Sequence, residues 1–282
     1  MVPKYKQTDR IKLTSFNLQA LAAPLVFSNV FGDHMVLQRG QPIRVWGWTS
    51  PNAAITGLFS SSQGDVTQSG TADATGFWKL TWAALPASMK PATIAVTQSA
   101  TGQTITLRDV LIGDVFLCSG QSNMEFTTND VVNASQELSA ANNYPNIRIT
   151  SGPLQGKLKL DTIPASPQDT LVAADLPWSV ANASTVGGVG GGGGWDFFSA
   201  ACWLTLKYTY DANAVAGHAV PLGGVVQCYG GTSIQYWSSP EAIASCPASA
   251  SNPGTACCNY GGKNSCLYNA QIHPYTLGPT QV

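Results

Sequence analysis

Charge is scarce in this sequence: Asp, Glu, Lys and Arg make up only 10% of its 282 residues, against about 25% in an average soluble domain. The 14 basic and 15 acidic side chains leave a formal net charge of -1. Binding of nucleic acid requires a concentrated basic surface that neutralises phosphates, so this balance argues against DNA or RNA as the main partner. The sequence also lacks any run of about 18 apolar residues, and we therefore predict no transmembrane helix.

Hydrophobic residues, by contrast, form 44% of the chain, which is enough for a sizeable core without help from metals or crosslinks. The length allows one large domain or two of ordinary size. Seven cysteines are present, and four of them lie in the polar stretch 246–266. Zinc sites need ligand pairs two to four residues apart and usually a nearby histidine, which this spacing lacks. The pattern favours disulfides in an oxidising compartment, and it leaves their pairing open.

Two further features point to the secretory pathway. Residues 1–24 follow the order of a signal peptide, basic, then apolar, then small, although Asp9 weakens the basic part and Asn17 and Gln19 interrupt the apolar part. A disordered tail is the alternative. Asn133 and Asn182 begin the acceptor triplets for N-linked glycans. Together these features predict a protein that is secreted or that resides in the lysosomal or endomembrane lumen.

Residues 25–108 show a pattern of short strands separated by turns. The segments rich in β-branched and aromatic residues are 43–48, 53–59, 76–82, 93–97 and 104–107. Strands of this length and spacing predict an antiparallel region that resembles a β-sandwich or a barrel. This region contains no catalytic constellation, so we expect it to have a structural or carbohydrate-facing role.

Residues 109–282 show a different pattern, typical of an α/β domain. The apolar runs 110–118 and 220–228 are typical of strands that are buried on both faces of a parallel sheet. Between them, 195–207 has the composition of a buried helix. A strand, a helix and a second strand predict a parallel crossover, with functional loops at the carboxyl ends of the strands.

Other parts of this second region predict a helix and two loops. A helix is expected at 131–142, with Asn129 or Asp130 as its cap. Residues 151–178 indicate a long irregular surface segment. The glycine run 187–194 lacks the Lys and Ser/Thr that follow the glycines of a phosphate-binding loop, so it indicates a flexible surface loop.

A serine follows the first apolar run directly, in the segment GQSNM at 120–124. Small residues there let the backbone turn sharply and bring the Ser122 hydroxyl to the rim of the sheet. If a helix follows, its first amides point at an oxyanion formed by attack of Ser122. The alternative is a serine that caps a strand-to-helix turn, and the local residues leave both open.

A glycine pair follows the second apolar run, at Gly230 and Gly231. A glycine amide at the carboxyl end of a strand can donate a hydrogen bond to an oxyanion without obstruction by a side chain. An ordinary turn is the alternative. Two such elements at the ends of adjacent strands are more informative than either alone.

Four segments together resemble the sialate O-acetylesterases, which belong to the SGNH-type hydrolase superfamily. They are NVFGDHMVLQR at 29–39, DVFLCSGQSNME at 114–125, GGTSIQYW at 230–237 and LYNAQIHP at 267–274. The resemblance implies a β-sandwich-like region at 25–108 joined to a flavodoxin-like SGNH hydrolase domain at 109–282. It also implies removal of O-acetyl groups from 9-O-acetylated sialic acids or related acetylated sugars, without a metal or an organic cofactor.

The resemblance also assigns roles to individual residues. It makes Ser122 the nucleophile, and it makes the amides of Ser122 and Gly231 donors in the oxyanion hole. Two later blocks of the family, Trp-Tyr-Gln-Gly-Glu-x-Asn with a further oxyanion donor and Asp-x-x-His with the general base, have no counterpart in this sequence. We therefore expect an incomplete hydrolase domain that lacks its C-terminal blocks.

The chain contains three histidines that could replace the missing base. His34 occupies a position that the family does not use as a base, and His218 precedes a strand, where an exposed or structural role is expected. His273 is the remaining candidate for the general base, although Ala270 stands where an Asp would be needed three residues earlier.

Two other functions remain open. A catalytically inactive carbohydrate-binding protein would use the same cleft, with Trp237 or Tyr229 stacking on a sugar. An acetyl esterase for plant or microbial polysaccharides would use the same serine. Acetylated xylan and an acetylated sialoside, compared as substrates, would separate the second alternative from a sialate esterase.

Overall fold

The computed structural model describes residues 23–153, 158, 163–187, 198–245 and 264–278. The strands in these ranges are β1 Val26–Phe27, β2 Val36–Gln38, β3 Ile43–Trp48, β4 Ala54–Ser61, β5 Gly64–Thr71, β6 Phe77–Trp82, β7 Ser88–Gln98, β8 Thr104–Gly120, β9 Ile147–Ser151, β10 Leu176–Val180 and β11 Leu222–Cys228. The α-helices are α1 Ser122–Glu125, α2 Ala134–Ala141, α3 Ala183–Gly187, α4 Ala200–Val215, α5 Ile234–Trp237, α6 Pro240–Ser245 and α7 His273–Thr276. A π-helical turn, Tyr268–Ile272, precedes α7.

The amino-terminal part consists of strands in two sheets that share one hydrophobic core. Strands β1, β3 and β6 form a three-stranded antiparallel sheet, and β4, β5 and β7 belong to a larger sheet. Buried and exposed residues alternate along β6, as expected for a strand with one face on the core. Trp46 and Trp78 from the first sheet pack with Phe59 and Ile94 from the second. The segments predicted as strands at 43–48, 53–59, 76–82 and 93–97 are confirmed and correspond to β3, β4, β6 and β7.

Strand β8 connects this part to the rest of the molecule. We predicted separate strands at 104–107 and 110–118, but the structure has one strand of 17 residues. Its first part pairs antiparallel with β7, and its last part pairs parallel with β11. The result is an eight-stranded sheet in the order β10-β9-β11-β8-β7-β4-β5, with β2 paired to β8. The fold is therefore mixed α/β, with one multi-strand sheet running through both parts.

The parallel strands β8, β11 and β9 carry helix α4 against one face. All seven residues of β11 are buried, as its apolar sequence predicted. Gly224 lets α4 approach closely, because a side chain at this position would meet Leu206 and Cys202. The predicted crossover is confirmed, but the helix begins later than predicted, at Ala200, where the side chain of Ser199 caps the Cys202 amide.

Two other expectations from the sequence need correction. Helix α2 begins at Ala134 rather than at 131, because Asn129 and Asp130 lie in a separate 3-10 turn. Segment 163–175 has no helix or strand, but it is not merely a surface segment. Leu171 is only 2% exposed, and the backbone oxygen of Asp169 accepts hydrogen bonds from Trp46 Nε1 in β3 and from Ser28 Oγ.

A disulfide joins Cys118 near the end of β8 to Cys202 in α4. Cys228, at the end of β11, is buried and free. The predicted disulfides of the 246–266 stretch lie largely outside the described residues, as do residues 1–22 and most of the glycine run. No helix in the described ranges is long and apolar enough to cross a membrane.

Candidate active site

Ser122 is the first residue of α1, and only Gln121 separates it from the end of β8. Gly120 has φ of +151°, a value that side chains rarely tolerate, so the chain can leave the strand in a sharp turn there. The amides of Met124 and Glu125 then donate to the carbonyl oxygen of Gln121, at 2.8 and 3.0 Å. Ser122 is exposed at this turn, at the carboxyl edge of the sheet, where the sequence predicted it.

Helix α4 holds the turn that carries Ser122. The Ala200 amide donates to the carbonyl oxygen of Phe126 at 2.8 Å, and the Thr128 amide donates to that of Phe198 at 3.2 Å. The disulfide from Cys118 to Cys202 ties the strand before the serine to the same helix. The backbone around Ser122 is therefore fixed both before and after the serine.

The glycine turn lies beside the serine turn. Cys228, the last residue of β11, is the registry partner of Gly120 in β8. One residue further, the Tyr229 amide donates to the carbonyl oxygen of Gly120 at 3.0 Å. Gly231 has φ of +73°, so this turn requires a glycine. The two candidate oxyanion donors thus lie on adjacent turns at one edge of the sheet.

Side chains hold the glycine turn in place from both sides. The Thr232 hydroxyl donates to the carbonyl oxygen of Tyr229 at 2.7 Å and accepts from Trp237 Nε1 at 3.0 Å. On the other side, the Gly230 amide donates to Glu125 Oε2 at 2.7 Å. Glu125 was not among the site residues predicted from the sequence, although it is the last residue of the segment 114–125 that contains Ser122.

A shallow depression of about 240 Å³ lies next to the two turns. It is lined by Ser119, Gly120, Gln121, Thr232, Ile234 and Trp237. Ile234 is 72% exposed, so this apolar side chain is available to a ligand. Tyr229 is only 5% exposed and its hydroxyl donates to the backbone oxygen of Leu158, which leaves Trp237 as the ring at this depression.

His273, the candidate base, is the first residue of α7. Its Nδ1 lies 3.1 Å from the backbone oxygen of Gln168 and 4.0 Å from Asp169 Oδ1. Its ring packs edge-on against Tyr268. Within the described ranges, no hydrogen bond or ion pair joins Ser122 to a histidine.

The other titratable groups near the sheet have structural surroundings. His34 Nδ1 lies 2.7 Å from Asp109 Oδ2, and His218 is exposed beyond the end of α4. Burial, together with the charge of Glu125, raises the pKa of Cys228, so this thiol stays protonated at neutral pH. No group of three or more His, Cys, Asp or Glu side chains in the described part of the chain is arranged to hold a metal ion.

Comparison with known proteins adds a set of relatives. No protein-family model matches the sequence. Human sialate O-acetylesterase is 34% identical over 258 residues, which cover 88% of this chain and 45% of the human protein. The mouse sialate O-acetylesterase is 34% identical over 227 residues, which cover 78% of this chain and 38% of the mouse protein. The chain thus spans less than half the length of these relatives.

A solved structure that is similar to this chain is also that of an acetylesterase. The crystal structure of a carbohydrate acetylesterase from Xanthomonas citri superposes with a TM-score of 0.68 and is 30% identical. The match covers 90% of this chain and 49% of that protein. By sequence and by fold, the chain is a homologue of the sialate O-acetylesterase family.

Proposed function

We propose that this chain is the nucleophile-bearing part of a carbohydrate esterase that removes O-acetyl groups from sialic acids or related acetylated sugars. One observation carries the proposal: the Ser122 turn at the end of β8 lies beside the Gly230–Gly231 turn at the end of β11. This arrangement offers a nucleophile and two backbone donors at one edge of a parallel sheet, where α/β proteins bind ligands.

The finer description of the fold is part of the same proposal. Residues 25–108 would form a β-sandwich-like region, and 109–282 would form a flavodoxin-like SGNH hydrolase domain. The shared core of the two amino-terminal sheets supports the first assignment. The parallel strands β8, β11 and β9, with α4 as the crossover helix, support the second.

The proposed reaction proceeds through an acetyl-enzyme. The Ser122 Oγ attacks the acetyl carbonyl carbon, and the amides of Ser122 and Gly231 donate hydrogen bonds to the resulting oxyanion. The bond to the sugar oxygen then breaks and the sugar leaves as an alcohol with the proton removed from Ser122. Water then hydrolyses the acetyl-serine to acetate and free Ser122. The depression beside Trp237 would hold part of the acetylated sugar.

The proton of Ser122 needs an acceptor, and His273 is the candidate within this chain. A serine without a positioned base loses most of its activation. In the described ranges, His273 contacts Gln168 and Asp169 rather than Ser122. We therefore expect slow turnover by this chain.

The contacts of His273 with Gln168 and Asp169 rather than with Ser122 favour a second candidate function, a carbohydrate-binding protein that does not hydrolyse its ligand. It would use Trp237 as the stacking ring.

The Xanthomonas citri relative is a carbohydrate acetylesterase. This supports a substrate class that is wider than sialic acid and that includes acetylated polysaccharides. The Cys118–Cys202 disulfide supports the proposed secreted or lumenal location.

Hydrolysis of p-nitrophenyl acetate by the 282-residue chain and by Ser122→Ala tests the proposal. A saturable rate that depends on Ser122, together with an acetyl group found on Ser122 by mass spectrometry, would support an esterase. Equal rates for the two proteins, combined with retained binding of an acetylated sialoside, would favour the binding protein. Comparison of acetylated sialoside with acetylated xylan then defines the sugar.

A further inference from the structure

From the contact between Glu125 and Gly230, we infer that Glu125 is a positioning residue. It holds the glycine turn, which contains Gly230 and Gly231, in place beside the serine turn, which contains Ser122. The inference rests on the proposed function, because it concerns the same reaction. It adds a residue that acts through the backbone of Gly230 and Gly231 and that does not touch the reacting atoms.

The side chain of Glu125 connects the two turns directly. Glu125 is the last residue of α1, three positions after Ser122, and its backbone amide donates to the Gln121 carbonyl oxygen at 3.0 Å. Its backbone is therefore part of the serine turn. Its carboxylate Oε2 accepts a hydrogen bond of 2.7 Å from the amide of Gly230, a residue of the glycine turn. Glu125 thus adds a side-chain link between the two turns to the backbone hydrogen bond from the Tyr229 amide to the Gly120 carbonyl oxygen.

The environment makes this hydrogen bond strong. Glu125 is 1% exposed, so water does not compete for its carboxylate. The low dielectric of such a buried site makes a hydrogen bond electrostatically stronger than it would be in water. A simple link between two turns could use a neutral side chain at a lower desolvation cost. The buried carboxylate indicates that a firmly held Gly230 amide matters here.

The position of Gly231, the residue after Gly230, matters for the reaction because its amide is the candidate oxyanion donor. Gly231 lies between the Gly230 peptide, held by Glu125, and Thr232, whose hydroxyl donates to the carbonyl oxygen of Tyr229. The φ of Gly231 is +73°, a region in which glycine alone moves freely. Loss of the Glu125 contact releases one side of this flexible residue and lets its amide leave the orientation that an oxyanion requires.

The experiment compares wild type, Glu125→Gln and Glu125→Ala, with Glu137→Gln as the matched control. Glu137 is also buried, at 4% exposure, and its carboxylate is 2.7 Å from Lys207 Nζ. It stabilises α2 against α4 and contacts neither turn. Three quantities are measured: the rate of amide hydrogen exchange in the peptide that contains Gly230 and Gly231, and the kcat and KM of the Ser122-dependent hydrolysis.

We expect Glu125→Ala to speed exchange at the glycine turn and to lower kcat by about 10- to 100-fold, with KM within about twofold. This is less than the ~10²–10³ lost when an oxyanion donor is deleted outright. Glu125→Gln keeps an oxygen acceptor of the same shape, so it should give intermediate values. Glu137→Gln should lower the thermal midpoint and leave both the exchange at this turn and kcat unchanged.

Three results would overturn the inference. They are unchanged exchange at Gly230 in a folded Glu125→Ala protein, faster exchange with unchanged kcat, and a loss of kcat in Glu137→Gln equal to that in Glu125→Ala. If Glu125→Ala does not fold, Glu125→Gln decides on the same criteria. A failure of the proposed function is distinguished by Ser122→Ala alone: equal hydrolysis by that variant and wild type would remove the catalytic role of Glu125, while the exchange data still test the contact.

Discussion

Arg148 in β9 extends its guanidinium to Asp109 in β8, where Nη1 lies 2.6 Å from Oδ2. The same carboxylate oxygen lies 2.7 Å from His34 Nδ1. Asp109 therefore joins the segment before β2 to the parallel strands. Burial raises the pKa of Asp109, but the hydrogen bonds and charges of Arg148 and His34 outweigh it, so the pKa lies below its ordinary value of 3.8.

Replacement of Asp109 by Asn should destabilise the protein in a way that depends on pH. Asn tolerates the positive φ of this position, 53°, so the change removes the carboxylate without adding backbone strain. Arg148 is only 7% exposed. The loss of its charged partner should therefore lower the free energy of unfolding by about 1–3 kcal/mol at pH 7. Because the folded pKa of Asp109 is below the unfolded one, its contribution is complete above about pH 5 and is lost as the pH falls through the folded pKa.

Urea unfolding of both proteins at pH 7, 5 and 3 measures this effect. Asp114→Asn is the control, since Asp114 lies on the same strand and pairs with Arg39, which is 45% exposed. Exposed pairs contribute about 0–1 kcal/mol, so this variant should remain close to wild type. A free-energy difference for Asp109→Asn that is equally large at pH 3 and pH 7 would contradict the explanation.

Gly231→Ala should reduce esterase activity as well as stability. Alanine at φ of +73° costs about 1–2 kcal/mol, and relief of that strain would move the amide that we assign to the oxyanion hole. We expect kcat to fall about 10-fold or more, measured with p-nitrophenyl acetate. Gly217→Ala is a matched control, because Gly217 has φ of +74° and open space around the position of its missing Cβ.

The pair of glycine variants separates strain from chemistry. Both should show a similar loss of unfolding free energy, because both place a Cβ in the left-handed region. Only Gly231→Ala should lose activity. An equal loss of activity in Gly217→Ala would mean that the effect comes from stability, and a fully active Gly231→Ala would remove Gly231 from the oxyanion hole.

His273→Gln should leave the Ser122-dependent rate within about twofold of wild type if the contacts of His273 describe its role. Its Nδ1 faces the backbone oxygen of Gln168, and the glutamine amide can donate to the same oxygen. Hydrolysis of p-nitrophenyl acetate is measured from pH 5 to pH 9 for both proteins. A loss of the Ser122-dependent rate, with a changed pH profile, would instead identify His273 as the general base.

The elements that follow from hydrophobic pattern could be predicted from the sequence, and those that depend on polar residues could not. Strands β3 and β11 agree with their predicted ranges because their apolar residues mark them. Strand β5 was missed, since its residues are mostly polar and it lies at the edge of the sheet, where little hydrophobic pattern is required. The continuity of β8 was hidden because Arg108 and Asp109 interrupt its apolar run.

The candidate site was predictable to the same extent. The positions of Ser122 and Gly231 on neighbouring turns follow from the rule that parallel strands place their carboxyl ends at one edge. The role of Glu125 does not follow, because a sequence does not distinguish a buried carboxylate from an exposed one. The partner of Cys118 was also beyond prediction, since Cys202 lies 84 residues away and approaches only when α4 packs on the sheet.

The Cys118–Cys202 disulfide should stabilise the fold and the serine turn together. It closes a loop of 84 residues, and loops of this length lose enough unfolded-state entropy to give about 2–4 kcal/mol. The double variant Cys118→Ala/Cys202→Ala should therefore unfold at a lower urea concentration, and a reducing agent should destabilise wild type more than the variant. Cys228→Ala is the control, because this thiol is buried near the same strand end without a disulfide.

Activity should fall in the double variant, since the disulfide ties the strand before Ser122 to α4. Equal responses of all three proteins to the reducing agent would show that this disulfide does not stabilise the chain in solution.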